Sequence, residues 1–215
     1  MFVEPLGLTT PLAAFNGGLL VDPDMNAIEE KTIRVDLAAP IIDLLHGHGL
    51  SVWVYQGADW FVLDKDGPHV QHESRGCVCA PTKLASFEGV DDGITKVVGV
   101  SDDASAGAAA GAAMREQFGE RVSATRSQSY FLDVTHPDAN KGHVVEYLST
   151  MYDVTTDEIA TIGDMHNDVS MFAVSGLSIA MGNAEASVQQ AAHQVTRSND
   201  DEGFAYAVTE FVLRS

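Results

Sequence analysis

The stretch Ile159-Ala-Thr-Ile-Gly-Asp-Met-His-Asn-Asp168 decides how the rest of the chain is interpreted. A short apolar run is followed by four small or polar residues: Gly163, Asp164, Asn167 and Asp168. This order predicts a buried strand that ends in an acidic loop. In an open α/β sheet, ligands bind just beyond the carboxyl ends of the parallel strands, where carboxylates can hold a hard cation such as Mg2+. The same residue types also suit an ordinary turn that caps the next helix, so the stretch alone leaves both interpretations open.

The chain after residue 135 alternates helices and strands. The predicted helices cover residues 141–151, 169–174, 184–192 and 204–213, and the predicted strands cover residues 159–162, 178–181 and 194–196. Such alternation is typical of the α/β class with a doubly wound parallel sheet.

The chain before residue 135 has a different pattern. Residues 11–21 predict two strands joined by an Asn-Gly turn. The next segment predicts a helix, a hairpin, a strand, a capped helix and a pair of strands, over residues 37–49, 52–63, 94–100, 101–118 and 121–134. Residues 25–135 are therefore expected to form an α+β unit inserted into the sheet. The core domain would then consist of residues 1–24 and 136–215.

Composition excludes several classes of partner. The 12 basic and 31 acidic residues give a net charge of −19, and no basic cluster offsets it. Nucleic acids and anionic membrane surfaces are poor partners for such a chain, because binding them depends on dense Lys and Arg. No apolar run approaches the roughly 20 residues of a membrane span, and the start of the chain lacks the order of a signal peptide. We therefore expect a cytoplasmic protein.

Two groups of side chains could bind metal but lack a complete site. Cys77 and Cys79 would share a face of a strand, and they are too few for a structural zinc site, so two buried thiols are expected. His69 and His72 lie in the polar stretch 64–76, which is expected to be a surface loop.

Four further segments occur in a recognisable order. They are residues 133–142 (DVTHPDANKG), 162–172 (IGDMHNDVSMF), 180–184 (AMGNA) and 195–203 (VTRSNDDEG). Together they resemble the Cof-type phosphatases of the haloacid dehalogenase (HAD) superfamily, whose Rossmann-like core carries a large inserted cap of type IIB. Residues 14–17 (AFNG) are similar to the strand and turn that lead into that cap, and the inserted α+β unit lies where the cap is found.

The resemblance implies a chemistry. Family members hydrolyse small phosphate monoesters, often sugar phosphates, through an Asp nucleophile with Mg2+ beside it. By resemblance, Lys141 would contact the phosphoryl oxygens, Asp164 and Asp168 are the candidate metal ligands, and Asn167 and Asn16 are candidate substrate contacts. Asp168 would also hold the loop or waters near the metal. The expected partner is a small phosphorylated metabolite.

Two family motifs do not occur in these residues. The family begins with a strand that ends in Asp-x-Asp-Gly-Thr, which supplies the nucleophile and general acid, and a later strand ends in Ser or Thr before Gly-Arg. Met1 is expected to fall just after the second motif, and the N-terminal strands of the sheet are expected to be missing. We therefore expect this chain to be inactive. The explanations left open are a fragment of a longer enzyme, a rearranged or swapped oligomer that pairs exposed sheet edges, and a non-catalytic relative.

The alternative function is phosphate or sugar-phosphate binding without turnover. In either case the family pattern places specificity in the cap. Trp53, Tyr55 and Trp60 could stack on a sugar there, or could serve only as core residues.

Overall fold

The structure, a computed structural model, describes residue 5 and residues 7–214. These residues form two compact units, Met1–Ala139 and Asn140–Ser215. The predicted grouping of residues 1–24 with residues 136–215 in one core domain stays a prediction. Among the described residues, no helix combines the length and the apolar content needed to cross a bilayer.

The first unit contains two sheets. Its strands are β1 (Leu12–Ala14), β2 (Leu19–Val21), β3 (Ala27–Glu30), β4 (Ser51–Gln56), β5 (Asp59–Val62), β6 (Thr82–Lys83), β7 (Ile94–Val100), β8 (Ser123–Gln128) and β9 (Phe131–Thr135). Its helices are α1 (Val35–Gly47), α2 (Val70–Cys77) and α3 (Ala104–Phe118). A small sheet has the order β1-β2-β3, and a larger one has the order β6-β5-β4-β7-β9-β8.

The hairpin predicted for residues 11–21 is confirmed. β1 and β2 pair antiparallel, with Ala14 opposite Leu19. Asn16 and Gly17 have φ angles of 59° and 93°. Glycine and asparagine adopt this left-handed region more readily than other residues, which is why an Asn-Gly pair can make so tight a turn.

The larger sheet has an apolar layer on each face. On one face, helices α1 and α3 bury Ile41, Leu45 and Met114, each with no exposed surface. The other face carries an aromatic cluster built around Trp53, Trp60 and their neighbours on the adjacent strands. The spacing of apolar residues three to four apart places one side of each helix in this core, as the sequence predicts.

The second unit has the predicted alternation of helices and strands. Its helices are α4 (Lys141–Tyr152), α5 (Val169–Phe172), α6 (Ala186–Ala191) and α7 (Gly203–Ala207), and its strands are β10 (Ala160–Gly163), β11 (Leu177–Ala180) and β12 (Gln194–Val195). The three strands are parallel and lie in the order β10-β11-β12. The last predicted helix, residues 204–213, is split, because a π-helical turn (Val208–Val212) follows α7.

Two expectations about residues 64–79 are wrong. Residues 70–77 form helix α2 rather than a loop. Cys77 and Cys79 are exposed and joined by a disulfide, so they are not buried thiols. Cys77 ends the helix and Cys79 lies in the following turn, which a strand pattern could not indicate.

Candidate functional site

The loops that follow the three parallel strands leave the sheet at one edge. In the register of the sheet, Gly163 at the end of β10 pairs with Ala180 at the end of β11, and Ala180 pairs with Val195 at the end of β12. The carboxyl ends of neighbouring parallel strands are where an open α/β sheet binds its ligands. The predicted acidic loop, residues 163–168, therefore lies where a ligand site is expected.

Asp168 organises this loop. Its residue surface is only 3% exposed, and its Oδ2 atom accepts hydrogen bonds of 2.9 Å from the backbone N–H groups of Asp164 and Met165. The loop packs so tightly that a Cβ atom on Gly163 would lie 2.5 Å from Cβ and Cγ of Asp168. Only glycine fits at position 163 without displacing that carboxylate.

Lys141 reaches the same carboxylate from helix α4. The helix begins at Lys141 because the side chain of Asn140 caps it by accepting a hydrogen bond from the backbone N–H of His143. The ammonium group of Lys141 forms an ion pair with Asp168 Oδ1. The Lys141 side chain is 36% exposed whereas that of Asp168 is 4% exposed, so the lysine also faces solvent.

Helices α4 and α5 meet at a glycine beside the lysine. The backbone N–H of Gly142 donates to Ser170 Oγ at 3.2 Å, and Ser170 Oγ donates to the carbonyl of Asn167 at 3.1 Å. A Cβ atom on Gly142 would approach the Ser170 carbonyl oxygen to 2.6 Å. This close approach holds the first turn of α4 against the loop that carries Asn167.

The half-buried Asp164 is linked to the next two loops. Its Oδ2 atom accepts a hydrogen bond of 3.2 Å from the side-chain amide of Asn183, in the loop after β11. Asn183 Oδ1 in turn accepts the backbone N–H of Asn199, in the loop after β12, at 3.0 Å. Asn183 was not predicted as a site residue, although it lies in the AMGNA segment that supported the resemblance. The signal was therefore present in the sequence.

The remaining candidates occupy separate positions. Asn167 lies in the short turn between Asp164 and Asp168, with its Oδ1 atom buried. The loop residue His166, which is not among the candidates, contacts Glu185 at 3.1 Å, at the start of α6. Asn16 belongs to the first unit, where its amide donates to the buried Asp133 Oδ2 at 3.1 Å. Its predicted contact with substrate stays a prediction.

The oxygen atoms around Asp164 are of the type that binds a hard cation, but they are few. Carboxylate and amide oxygens are the ligands that Mg2+ prefers. Among the described residues, no group of three His, Cys, Asp or Glu side chains could hold a metal ion together. Mg2+ commonly binds through one or two carboxylates and completes its shell with water and substrate phosphate. Asp164 therefore fits the role of a single protein carboxylate in such a shell.

The three aromatic candidates, which lie in the first unit, are core residues. Trp53, Tyr55 and Trp60 are 2%, 8% and 3% exposed. Burial raises the pKa of Tyr55 strongly, and the negative charges of Glu73 and Asp133 raise that pKa further. A sugar could not stack on these rings without displacing their present neighbours.

The chain matches known proteins along most of its length. The model of the haloacid dehalogenase-like hydrolase family matches residues 1–208. Phosphatase YwpJ of Bacillus subtilis is 26% identical over an alignment that covers 94% of this chain and 80% of YwpJ. A haloacid dehalogenase-like hydrolase from B. subtilis has a similar fold, with a TM-score of 0.84, 22% identity and coverage of 98% of this chain and 82% of that one. A HAD subclass IIB sugar phosphatase gives a TM-score of 0.82 at 18% identity, covering 97% and 78%.

Proposed function

Because the chain belongs to the haloacid dehalogenase-like hydrolase family, we propose that its site serves a Mg2+-dependent phosphatase chemistry on small phosphate monoesters such as sugar phosphates. Phosphatase YwpJ, which aligns with nearly the whole chain, supports the reaction type. The subclass IIB sugar phosphatase, which shares the fold, supports the choice of sugar phosphates as the first ligands to test.

One observation carries the proposal. A continuous set of polar contacts runs from Lys141 through Asp168 and Asp164 to Asn183. It places an ammonium group and a half-buried carboxylate at the edge of the sheet where ligands bind. A phosphate dianion needs both, since the ammonium group offsets its charge directly and the carboxylate attracts a bridging cation.

Each residue then has a defined task. Lys141 contacts a phosphate oxygen as a point charge, while Asp168 and the amides of the loop hold Lys141 and Asp164 at a fixed spacing. Asn183 orients the Asp164 carboxylate through its amide, and Asp164 would hold the cation. When bound, Mg2+ supplies charge neutralisation for the phosphoryl group. Binding of the metal alone should be weak, because Asp164 is a single carboxylate.

Turnover needs a nucleophile that these 215 residues do not provide in the family pattern. No Asp-x-Asp-Gly-Thr motif occurs in them. Without that carboxylate the covalent route is closed, so we expect this polypeptide by itself to bind phosphate esters without hydrolysing them. The second candidate function, a phosphate or sugar-phosphate binding protein that performs no catalysis, would use the same contacts of Lys141 and Asp164.

The test combines an activity assay with a binding assay. Hydrolysis of p-nitrophenyl phosphate with Mg2+ should not exceed the background rate. Isothermal titration with glucose 6-phosphate and Mg2+ should show binding that Lys141→Met weakens about 10- to 100-fold, the loss expected for one hydrogen bond to a charged group. Asp164→Asn should abolish the dependence of that binding on Mg2+.

Two matched variants control for the change of charge. Asp157→Asn removes an exposed carboxylate in the turn before β10, at the opposite edge of the sheet, and Lys83→Met removes an exposed lysine in the first unit. Both should leave affinity within about twofold of the wild type, since neither side chain takes part in the contacts that connect Lys141, Asp164 and Asn183. Equal losses in the site variants and their controls would contradict the proposed site. Hydrolysis that Asp164→Asn abolishes would show instead that the chain is a competent phosphatase.

A further inference from the structure

The disulfide between Cys77 and Cys79 is placed unusually for a structural crosslink. It joins residues only two apart in sequence, and both cysteines are exposed. A crosslink stabilises a protein mainly by restricting the unfolded chain, and the effect is smallest for the shortest loops. The bond between Cys77 and Cys79 therefore contributes little to the stability of the folded protein. Exposed disulfides are the labile ones that thiols reduce and re-form.

The bond is coupled to the end of helix α2. Val78, between the two cysteines, lies in the left-handed region with a φ angle of 53°, and it is 70% exposed. A β-branched residue is a genuine outlier in this region, because its Cβ atom crowds the following carbonyl. The backbone N–H groups of Val78 and Cys79 both donate to the carbonyl of Ser74, and Ser74 Oγ donates to the carbonyl of Cys79 at 2.5 Å.

A groove beside the disulfide offers a route of approach. It has a volume of about 340 Å3 and is lined by residues on both sides of the cysteine pair, including Ser74, Arg75 and Pro81. Lys65 and Arg75 give this lining two positive charges in a chain whose net charge is −19. Nearby cations favour an anionic thiolate, which is the species that attacks a disulfide.

We propose that Cys77 and Cys79 form a thiol–disulfide exchange site that a dithiol reductant opens. A thiolate of the reductant attacks one cysteine sulfur, the bond between the protein sulfurs breaks, and a mixed disulfide forms. The second thiolate of the reductant then releases the protein sulfur. Two electrons and two protons pass to the cysteines, and the reductant leaves as a disulfide. In the reducing cytoplasm that the sequence predicts, the bond would form only transiently.

Opening the bond has a structural consequence within the first unit. Val78 no longer has to remain in the left-handed region, so the contacts of Val78 and Cys79 with Ser74 are released and the last turn of α2 loosens. The first residue of the same helix, Val70, is 2% exposed and packs in the aromatic cluster with Trp53 and Trp60. The redox state of the cysteines is thereby linked to the helix that places Val70 in this cluster.

Reduction of the folded protein is the direct test. The full chain is equilibrated without denaturant in buffers of reduced and oxidised dithiothreitol, the reaction is quenched with acid, and free thiols are alkylated with N-ethylmaleimide and counted by intact mass. We expect two alkylations under reducing conditions and none under oxidising conditions, with full reversibility. If reduction occurs only in urea, the bond is structural and the proposal is wrong.

Hydrogen exchange tests the effect on α2. Backbone amides of residues 74–79 should exchange at least about tenfold faster in the reduced protein, and the Cys77→Ser/Cys79→Ser variant should match the reduced wild type. Equal exchange in both redox states would show that reduction does not loosen the last turn of α2.

Val78→Gly tests the coupling to backbone conformation. Glycine adopts the left-handed region freely, so this variant should shift the thiol–disulfide equilibrium about tenfold toward the disulfide. Val35→Gly is the control, since it makes the same exchange at another exposed valine, the first residue of α1, which is distant in sequence from both cysteines, and the equilibrium should not move. No shift in Val78→Gly would show that the turn does not depend on the bond.

Discussion

Replacement of Asp168 by alanine tests whether one buried carboxylate holds the candidate site together. The substitution removes the acceptor of two backbone N–H groups, both at 2.9 Å, and leaves the Lys141 ammonium without its partner. A hydrogen bond to a charged group is worth about 1.5–3 kcal/mol, so the two N–H bonds together account for about 3–6 kcal/mol. Water can reach the partly buried amides and recover part of this loss. We therefore expect the free energy of unfolding of Asp168→Ala to fall by about 3–4 kcal/mol.

The ion pair itself should contribute less than the loop bonds. Because the Lys141 side chain is 36% exposed, solvent screens its charge and Lys141→Met should cost about 1 kcal/mol. The double variant completes a thermodynamic cycle, in which the coupling between the two side chains should be about 1–2 kcal/mol. Asp200→Ala removes an exposed carboxylate from the same unit and should change stability by less than about 0.5 kcal/mol.

Urea unfolding followed by circular dichroism measures these differences. The midpoint should fall at an unchanged slope, because the surface exposed on unfolding stays the same. If Asp168→Ala costs no more than Asp200→Ala, the carboxylate does not order the loop. A coupling energy of zero would likewise show that Lys141 and Asp168 act independently, and the argument for a preorganised site would fail.

Three further predictions concern local packing and a helix cap. Gly163→Ala should destabilise the protein by about 1–3 kcal/mol in thermal unfolding, because the added Cβ meets Asp168. Gly107→Ala in the first turns of α3, where an added Cβ meets no other atom, should instead stabilise it by about 0.5–1 kcal/mol. Met114→Ala, which empties a fully buried position, should cost about 2–5 kcal/mol in urea unfolding. The hydrogen bond from the Ser105 side chain, followed by those from the backbone N–H groups, lowers the pKa of Asp103. Its stabilising effect is therefore present above the unfolded pKa and is lost as the pH falls through the folded pKa, so the Tm difference between the wild type and Asp103→Asn should shrink in acid.

Strong periodic patterns made much of the fold predictable. Strand β7 occupies residues 94–100 as expected. Its apolar residues are buried on both faces of the larger sheet, Ile94 and Val97 in the core under the helices and Val98 and Val100 in the aromatic cluster. Helix α3 was predictable from an Ala-rich run and a cap at Asp103, which accepts hydrogen bonds from Ser105 and Ala106. In both cases local preference and tertiary burial agree.

Helix α2 was missed because it lacks such a pattern. Residues 70–77 read VQHESRGC, and Val70 is the one residue of the helix that is buried. A single apolar anchor gives no periodicity, so the helix depends on the contact between Val70 and the aromatic cluster. The disulfide was missed for a related reason. Spacing in sequence cannot show that Val78 adopts a left-handed conformation, which turns the two cysteines toward each other.

The chemistry of the candidate site depends on how its charges are already paired. The sequence predicted Asp164 and Asp168 together as metal ligands, but it could not show which oxygens the protein itself would use. Both oxygens of Asp168 have protein partners, one in Lys141 and the other in the loop amides. A phosphate that approaches Lys141 therefore competes with a carboxylate already bound there, and its contact with the lysine is weaker than a contact with an unpaired lysine would be. A cation on Asp164 would attract the phosphate, and would so compensate for the part of the lysine charge that Asp168 neutralises. Phosphate affinity should accordingly depend more steeply on Mg2+ in the wild type than in Asp168→Asn, where Lys141 is released from its ion pair.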